Sequence, residues 1–278
     1  MSESSSILIT GCSSGIGLDA ALTLHSRGWR VFATCRSDTD CETLREKGLE
    51  SFVLDYASSE SIEHAVSTVK ALTDGKLDAL FNNGAFAIPG RVEDLPRDAL
   101  RSIFETNLFG QFELINAVLP DMRKRNAGRI INNSSVLGFT ALPFRGAYVS
   151  TKFAMEGLTD ALRLELYDTN IHIMLIEPGP IDTKIRQNSI PHFERWIKWQ
   201  DSAAKQQYES QLVPRLYEPS EKKDRFELPC SAVTEKLIHA LENNSPKPRY
   251  YVTTPTHIVG LLKRVLSTRL LDKILNKS

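Results

Sequence analysis

Ser6-Ile7-Leu8-Ile9-Thr10-Gly11-Cys12-Ser13-Ser14-Gly15-Ile16-Gly17 carries a short apolar run into a turn with three glycines, and a helical pattern follows over 15–27. Glycine lets the chain turn tightly and lets a ligand approach the backbone closely. The helix start beyond the turn offers unpaired N–H groups and a partial positive charge, which suit a pyrophosphate. The spacing is not G-x-G-x-x-G, so the glycines take their meaning from the strand before them and the helix after.

The same alternation runs through the first two-thirds of the chain. Apolar runs predict strands at 6–10, 30–34, 51–54, 79–82, 129–134 and 172–177, with a seventh at 250–253. Helical patterns lie between them near 15–27, 41–47, 59–73, 97–125 and 147–168. Strand and helix in alternation imply an α/β fold with a parallel sheet covered on both faces. Right-handed crossovers favour a doubly wound, Rossmann-type sheet in three layers. Residues 1–278 are expected to form one such domain. The regularity ends after Pro178, and an insertion at about 184–230 is placed to cover the cleft at the strands' C-terminal ends. Its aromatics, Phe193, Trp196, Trp199 and Tyr208, either line an apolar pocket or pin the insertion to the body. The last segment, 257–278, is an amphipathic helix bearing Lys263, Arg264, Arg269, Lys273 and Lys277 against Asp272. It is expected to pack on its own domain or a subunit rather than lie on a membrane surface.

Composition narrows the function classes. Hydrophobic residues make up 41% and charged residues 24%, as in a soluble globular protein. Lys+Arg and Asp+Glu both total 34, which argues against nucleic acid as a bulk partner. The four cysteines form no C-x-x-C pair and no zinc-type spacing with histidine, so no metal is expected and a reducing compartment is. The N-terminal residues lack a secretory pattern, and no apolar run approaches the ~20 residues of a membrane span. A cytoplasmic protein is expected.

Tyr148 and Lys152, four apart at the start of a helical pattern, stand on one helix face. A cation fixed there would lower the tyrosine pKa from roughly 10; alternatively the two merely share a surface. Ser135 closes the strand-like run from Arg129 and could bring a hydroxyl to the same spot. Arg36 follows the second strand, where an arginine pairs with a ribose 2′-phosphate and an acid would favour a free hydroxyl. It points to NADP(H), with Ser13 able to add a contact. Asp55 either meets the adenine amino group or serves as a turn aspartate. Asn82-Asn83-Gly84-Ala85 either ties strand ends together beside a cofactor or is a turn.

Taken together, Thr10–Gly17, Asp55, Asn82–Ala85, Asn107, Ser135, Tyr148/Lys152 and Pro178-Gly179 resemble the short-chain dehydrogenases/reductases, over at least residues 6–183. Within that family the chain looks most like bacterial NADP-dependent aldehyde reductases and the hydroxysteroid and retinol dehydrogenase branch. Asn82-Asn83-Gly84-Ala85 departs from the family's Asn-Asn-Ala-Gly. The resemblance implies that Tyr148 is the general acid and that Ser135, 13 positions earlier, holds the substrate oxygen. It implies that Lys152 binds the nicotinamide ribose, and that Asn107 kinks its helix and holds a relay water. The cofactor would lie on Gly11, Ser13, Ser14, Gly15, Ile16, Gly17, Arg36, Asp55, Asn83, Gly84, Tyr148 and Lys152. Pro178, Gly179, Ile181 and Thr183 would cradle its carboxamide. The expected activity is NADP(H)-dependent reduction of an aldehyde or ketone by a homo-oligomer assembled through the long helices. A membrane-associated retinol or hydroxysteroid dehydrogenase and, more distantly, a non-catalytic NADP-sensing regulator are the alternatives.

Overall fold

The computed structural model describes residues 4–217 and 226–276. Residues 218–225 of the expected insertion and residues 277–278, Lys277 among them, lie outside the described residues. Seven strands form one parallel sheet in the order β3-β2-β1-β4-β5-β6-β7. They are β1 (Ser6–Thr10), β2 (Arg30–Cys35), β3 (Glu50–Val53), β4 (Ala79–Asn82), β5 (Gly128–Asn133), β6 (Ile171–Glu177) and β7 (Arg249–Tyr251). The order reverses between β1 and β4, so a crevice opens outside the C-terminal ends of those two strands.

The strands read as continuous apolar runs because both faces are covered. Ile7 and Ile9 of β1 pack under α1 (Gly15–Ser26) and α2 (Asp38–Arg45), in a core shared with α10 (Ser231–Glu242). Leu8, between them, points to the opposite core, made with α3 (Ser59–Thr73), α5 (Gly110–Arg125) and α6 (Gly146–Glu165). This is the period-two alternation of a strand.

Three features differ from the sequence expectation. The pattern over 97–125 is not one helix: α4 (Arg97–Phe104) passes through a π-helical turn, Glu105–Phe109, before α5 begins. The described part of the insertion is largely helical, with α7 (Ile185–Trp196), α8 (Lys205–Gln207), a π-helical turn Tyr208–Leu212 and α9 (Val213–Tyr217). The terminal helix is two, α11 (Thr254–Val265) and α12 (Thr268–Leu275). Leu266 and Ser267 are extended between them, and the Ser267 carbonyl accepts the N–H groups of Leu270 and Leu271 to start α12. Among the described residues no helix is long and apolar enough to cross a membrane.

The structure also settles what the insertion's aromatics do. Phe193 and Tyr208 are fully buried in a third core with Phe86, Ile88, Ala99 and Ile103, and Trp196 and Trp199 pack on its margin. The Tyr208 hydroxyl donates to Asp94 Oδ2 at 2.7 Å and accepts the Arg91 N–H at 2.8 Å. These side chains pin the insertion to the body.

Candidate active site

The glycine turn is held by sterics. Gly11 has φ +68°, in the left-handed region, and a Cβ on Gly17 would stand 2.3 Å from the Gly11 carbonyl oxygen. Ser14, extended before α1, makes no side-chain cap. The first turn of α1 therefore presents its N–H groups toward the cleft lined by Gly11, Ser13, Ser14, Gly15 and Ile16.

Asparagine amides tie the neighbouring strand ends together. The Tyr56 hydroxyl donates to Asn82 Oδ1 at 2.7 Å and accepts from the Thr10 hydroxyl at 2.7 Å. Thr10 Oγ1 in turn accepts the N–H groups of Asn83 and Gly84, at 2.9 and 3.1 Å. Asn83 Nδ2 donates to the Thr10 carbonyl, and Asn133 Nδ2 donates to Asn83 Oδ1, both at 2.9 Å. Asn82 continues through Asn132 to Thr159 of α6. The Asn82–Ala85 stretch is thus a brace between β1, β4 and β5 rather than an isolated turn. Gly84 keeps its place there despite the departure from the family's order, since Gln111 Nε2 also donates to its carbonyl at 2.8 Å.

Tyr148, Lys152 and Ser135 meet at the C-terminal end of β5. Lys152 is buried, donates from Nζ to the Asn133 carbonyl at 2.6 Å, and lies 5.5 Å from the centroid of the Tyr148 ring. Ser135 Oγ accepts the Leu137 N–H at 3.1 Å. The electrostatics correct the sequence expectation: the Tyr148 phenol is raised above its ordinary value, not lowered. Burial is the main cause, and interaction with the Ser135 hydroxyl offsets part of it. Tyr148 remains half-buried, open to the cleft on one side. Burial also draws the Lys152 ammonium down to about 7, against the pull of the Glu156 carboxylate. Charge in a dry pocket is expensive for both groups, and the ammonium sits over the ring rather than at its oxygen. Asn107, in the π-helical turn, donates to the Phe86 carbonyl at 2.8 Å and accepts the Phe86 N–H at 3.0 Å. It therefore fixes the strand-end loop against the widened helix.

These groups open on a cleft of about 1420 Å³, whose wall includes Arg36, Asn83, Gly84, Ser135, Tyr148, Lys152, Pro178, Gly179, Ile181 and Thr183. Asn107 and Gly17 are buried and Asp55 is half-buried, and none of the three lines the cleft. Asp55 Oδ1 accepts the Ala57 N–H at 3.0 Å, the turn role left open by the sequence. Leu137 lines the cleft, whereas Phe139 packs on Tyr251 and Phe144 on Tyr208.

Two groups escaped the sequence reading. His192 of α7 stacks on Phe86 at 4.1 Å in the cleft wall, with burial and the charges of Arg36 and Arg195 keeping its ring toward the neutral form. Behind the site, Arg249 of β7 donates to Glu156, Glu177 and Asp160. Glu156 stands four residues after Lys152 on α6, and Glu177 directly precedes Pro178. Only the i, i+4 spacing of Lys152 and Glu156 hinted at this cluster.

The residues present fit a dinucleotide. The glycine turn has no room for a Cβ at Gly11 or Gly17, α1 begins without a side-chain cap, and two buried polar atoms of the cleft wall, Asn133 Oδ1 and Ser134 Oγ, have no hydrogen-bond partner. A family model described as short chain dehydrogenase matches residues 5–193. The chain is 39% identical over 271 residues to the uncharacterized oxidoreductase YbbO of Escherichia coli strain K12, covering 97% of this chain and 93% of that one. It is 32% identical to human 17-beta-hydroxysteroid dehydrogenase type 1 over 259 residues, 89% of this chain and 77% of that one. A solved short-chain dehydrogenase from Streptomyces avermitilis superposes with a TM-score of 0.79 at 25% identity, covering 98% of this chain and 96% of that one. The sheet order, the glycine turn and these matches agree: the chain belongs to the short-chain dehydrogenase family and is an oxidoreductase.

Proposed function

We propose that this protein reduces an aldehyde or ketone to an alcohol with NADP(H), Tyr148 donating the proton. The observation that carries the reading is the convergence of Tyr148, Ser135 and Lys152 on the wall of a cleft that Arg36 also lines. A bound nicotinamide dinucleotide would supply the hydride. Gly11, Ser13, Ser14, Gly15, Ile16 and Gly17 would receive its pyrophosphate at the α1 N-terminus, and Arg36 a 2′-phosphate. Asn83, Gly84, Pro178, Gly179, Ile181 and Thr183 would hold the nicotinamide end, with Lys152 on its ribose. Asp55, tied into its turn, contributes by fixing the end of β3. Ser135 donates a hydrogen bond to the substrate oxygen, and Tyr148 passes its proton to the same atom. A raised phenol pKa suits a group that must hold its proton until the oxygen becomes basic, and such assistance contributes roughly 10²–10⁴-fold. Asn107 positions the Phe86 loop and, through a water, would link Lys152 to solvent.

Phe86, Leu137, Ile190, Leu216 and Tyr217 give the cleft an apolar wall beside Tyr148, which supports an apolar carbonyl. The same wall, with the likeness to a hydroxysteroid dehydrogenase, favours a second reading in which the substrate is a sterol or retinoid. The test is NADPH oxidation against a panel of aldehydes, ketones and quinones with retinal and a ketosteroid included. Turnover of simple aldehydes supports the first reading, turnover confined to retinal or the ketosteroid the second, and turnover of none defeats both. Three buried cysteines and a half-buried one, all free thiols, support a cytoplasmic setting. Exposed Leu158 and Leu164 on α6 support a homo-oligomer. One domain spanning the chain, with 184–230 as its cover, completes the reading.

A further inference from the structure

Helix α11 faces the wrong way for a core-seeking amphipathic helix. Its inward side is small and polar: Thr256 and Gly260 are buried, and a Cβ on Gly260 would stand 2.8 Å from the Tyr251 ring. One turn on, Lys263 donates to the Phe139 carbonyl and lies 5.0 Å over the Phe153 ring. Its outward side carries Ile258, Leu261 and Val265, spaced i, i+3, i+7 and 49%, 62% and 68% exposed. Leu270 of α12 is also half exposed, at 50%, while Leu271 and Leu275 face the 139–143 segment. The glycine seat fixes this orientation, because turning the helix to bury the stripe would drive a branched side chain into Tyr251.

Charge identifies what covers the stripe. Residues 257–278 hold five basic residues and one acid, although the whole chain balances at 34 of each. Lys263 is engaged on the body, and Arg264, Arg269 and Lys273 are exposed on the same two helices, the last two along the groove beside residues 139–143. A second copy docked about a two-fold axis would set this basic patch against itself. A surface that takes apolar side chains and is itself negative meets both features. We propose that the outward stripe of α11, with the start of α12, docks this protein on an anionic lipid bilayer. β7 feeds α11 from the C-terminal edge of the sheet, the edge that bears the cleft.

The test is flotation of the full chain with vesicles of phosphatidylcholine, with and without phosphatidylglycerol. At low salt the protein should float with the anionic vesicles on the order of tenfold to a hundredfold more than with the neutral ones, and high salt should erase the difference. Leu261→Glu with Val265→Glu should abolish flotation and leave the melting temperature and NADPH-dependent turnover unchanged. Absence of flotation at low salt would overturn the proposal, and so would flotation unchanged in the double variant. A wild-type oligomer that dissociates in the double variant, without flotation of either, would assign the stripe to a second copy and overturn it as well.

Discussion

Replacing Arg249 by methionine removes the cation that three carboxylates share: Glu156, Glu177 and Asp160. Glu177 is fully buried, and its carboxyl already lies above the usual range, because burial and the Glu156 charge outweigh the opposing pull of Arg249. Breaking a buried ion pair by deleting one partner costs about 3–5 kcal/mol. The low end applies here, since the side chains of Arg249 and Asp160 are 28% and 39% exposed. With an unfolding entropy of about 2.1 cal/mol/K per residue, about 3 kcal/mol corresponds to a melting temperature lower by about 5 °C in a chain of 278 residues. The deficit must also depend on pH. Without Arg249 the folded pKa of Glu177 rises further above the unfolded value of about 4.3. Above that value the folded state then binds protons that the unfolded state has released, so the stability of the variant falls as pH rises through the folded pKa. Thermal unfolding of both proteins at about pH 6 and about pH 10 measures the effect, with the larger gap expected at about pH 10, because Glu177 of the wild type titrates at about 8 and that of the variant higher. A gap equal at both pH values, or no gap, would refute the account of the cluster.

Tyr148→Phe should retain NADPH affinity while turnover falls by roughly 10²-fold or more; titration of cofactor fluorescence and steady-state rates measure the two, and near-wild-type turnover would place the proton elsewhere. Arg36→Ala should weaken NADPH far more than NADH, since only the former offers a phosphate to a guanidinium; equal losses would remove Arg36 from cofactor choice. Lys152→Met should abolish turnover yet raise the melting temperature of the cofactor-free protein near pH 7. The Lys152 pKa is drawn down to about 7 in the folded state, whereas the unfolded chain keeps its proton to about 10.4. The wild-type cost is therefore greatest at or below pH 7 and fades by about pH 10, and the stability gain of the variant should fade with it. A variant that melts lower at pH 7 would show that the hydrogen bond from Nζ to Asn133 outweighs the desolvation.

Much of the fold was legible because its signals are local. A parallel strand buried on both faces is a continuous apolar run, and a glycine turn between strand and helix is readable from a dozen residues. All seven strands stand where the apolar runs placed them, within one or two residues at most ends. The pairing of Tyr148 with Lys152 was equally visible, as an i, i+4 spacing on α6. The family likeness implied a kink at Asn107, and the structure has a π-helical turn over Glu105–Phe109 there.

Burial is not local, and it decided the rest. The direction of the Tyr148 shift depends on how completely water is excluded around both partners, so a spacing that predicted a lowered phenol met a raised one. The insertion's aromatics had two possible environments at the same helical spacing, and only the positions of Phe86, Ala99 and Ile103 from distant segments made them core. The partners of Arg249 lie 72 and 93 positions away in Glu177 and Glu156, a distance at which no periodicity carries information. The sequence by itself determined the doubly wound sheet, the glycine turn and the spacing of Tyr148 and Lys152. Tertiary structure alone decided which charges are buried together, and which face of α11 turns to the outside, because Gly260 must fit against Tyr251.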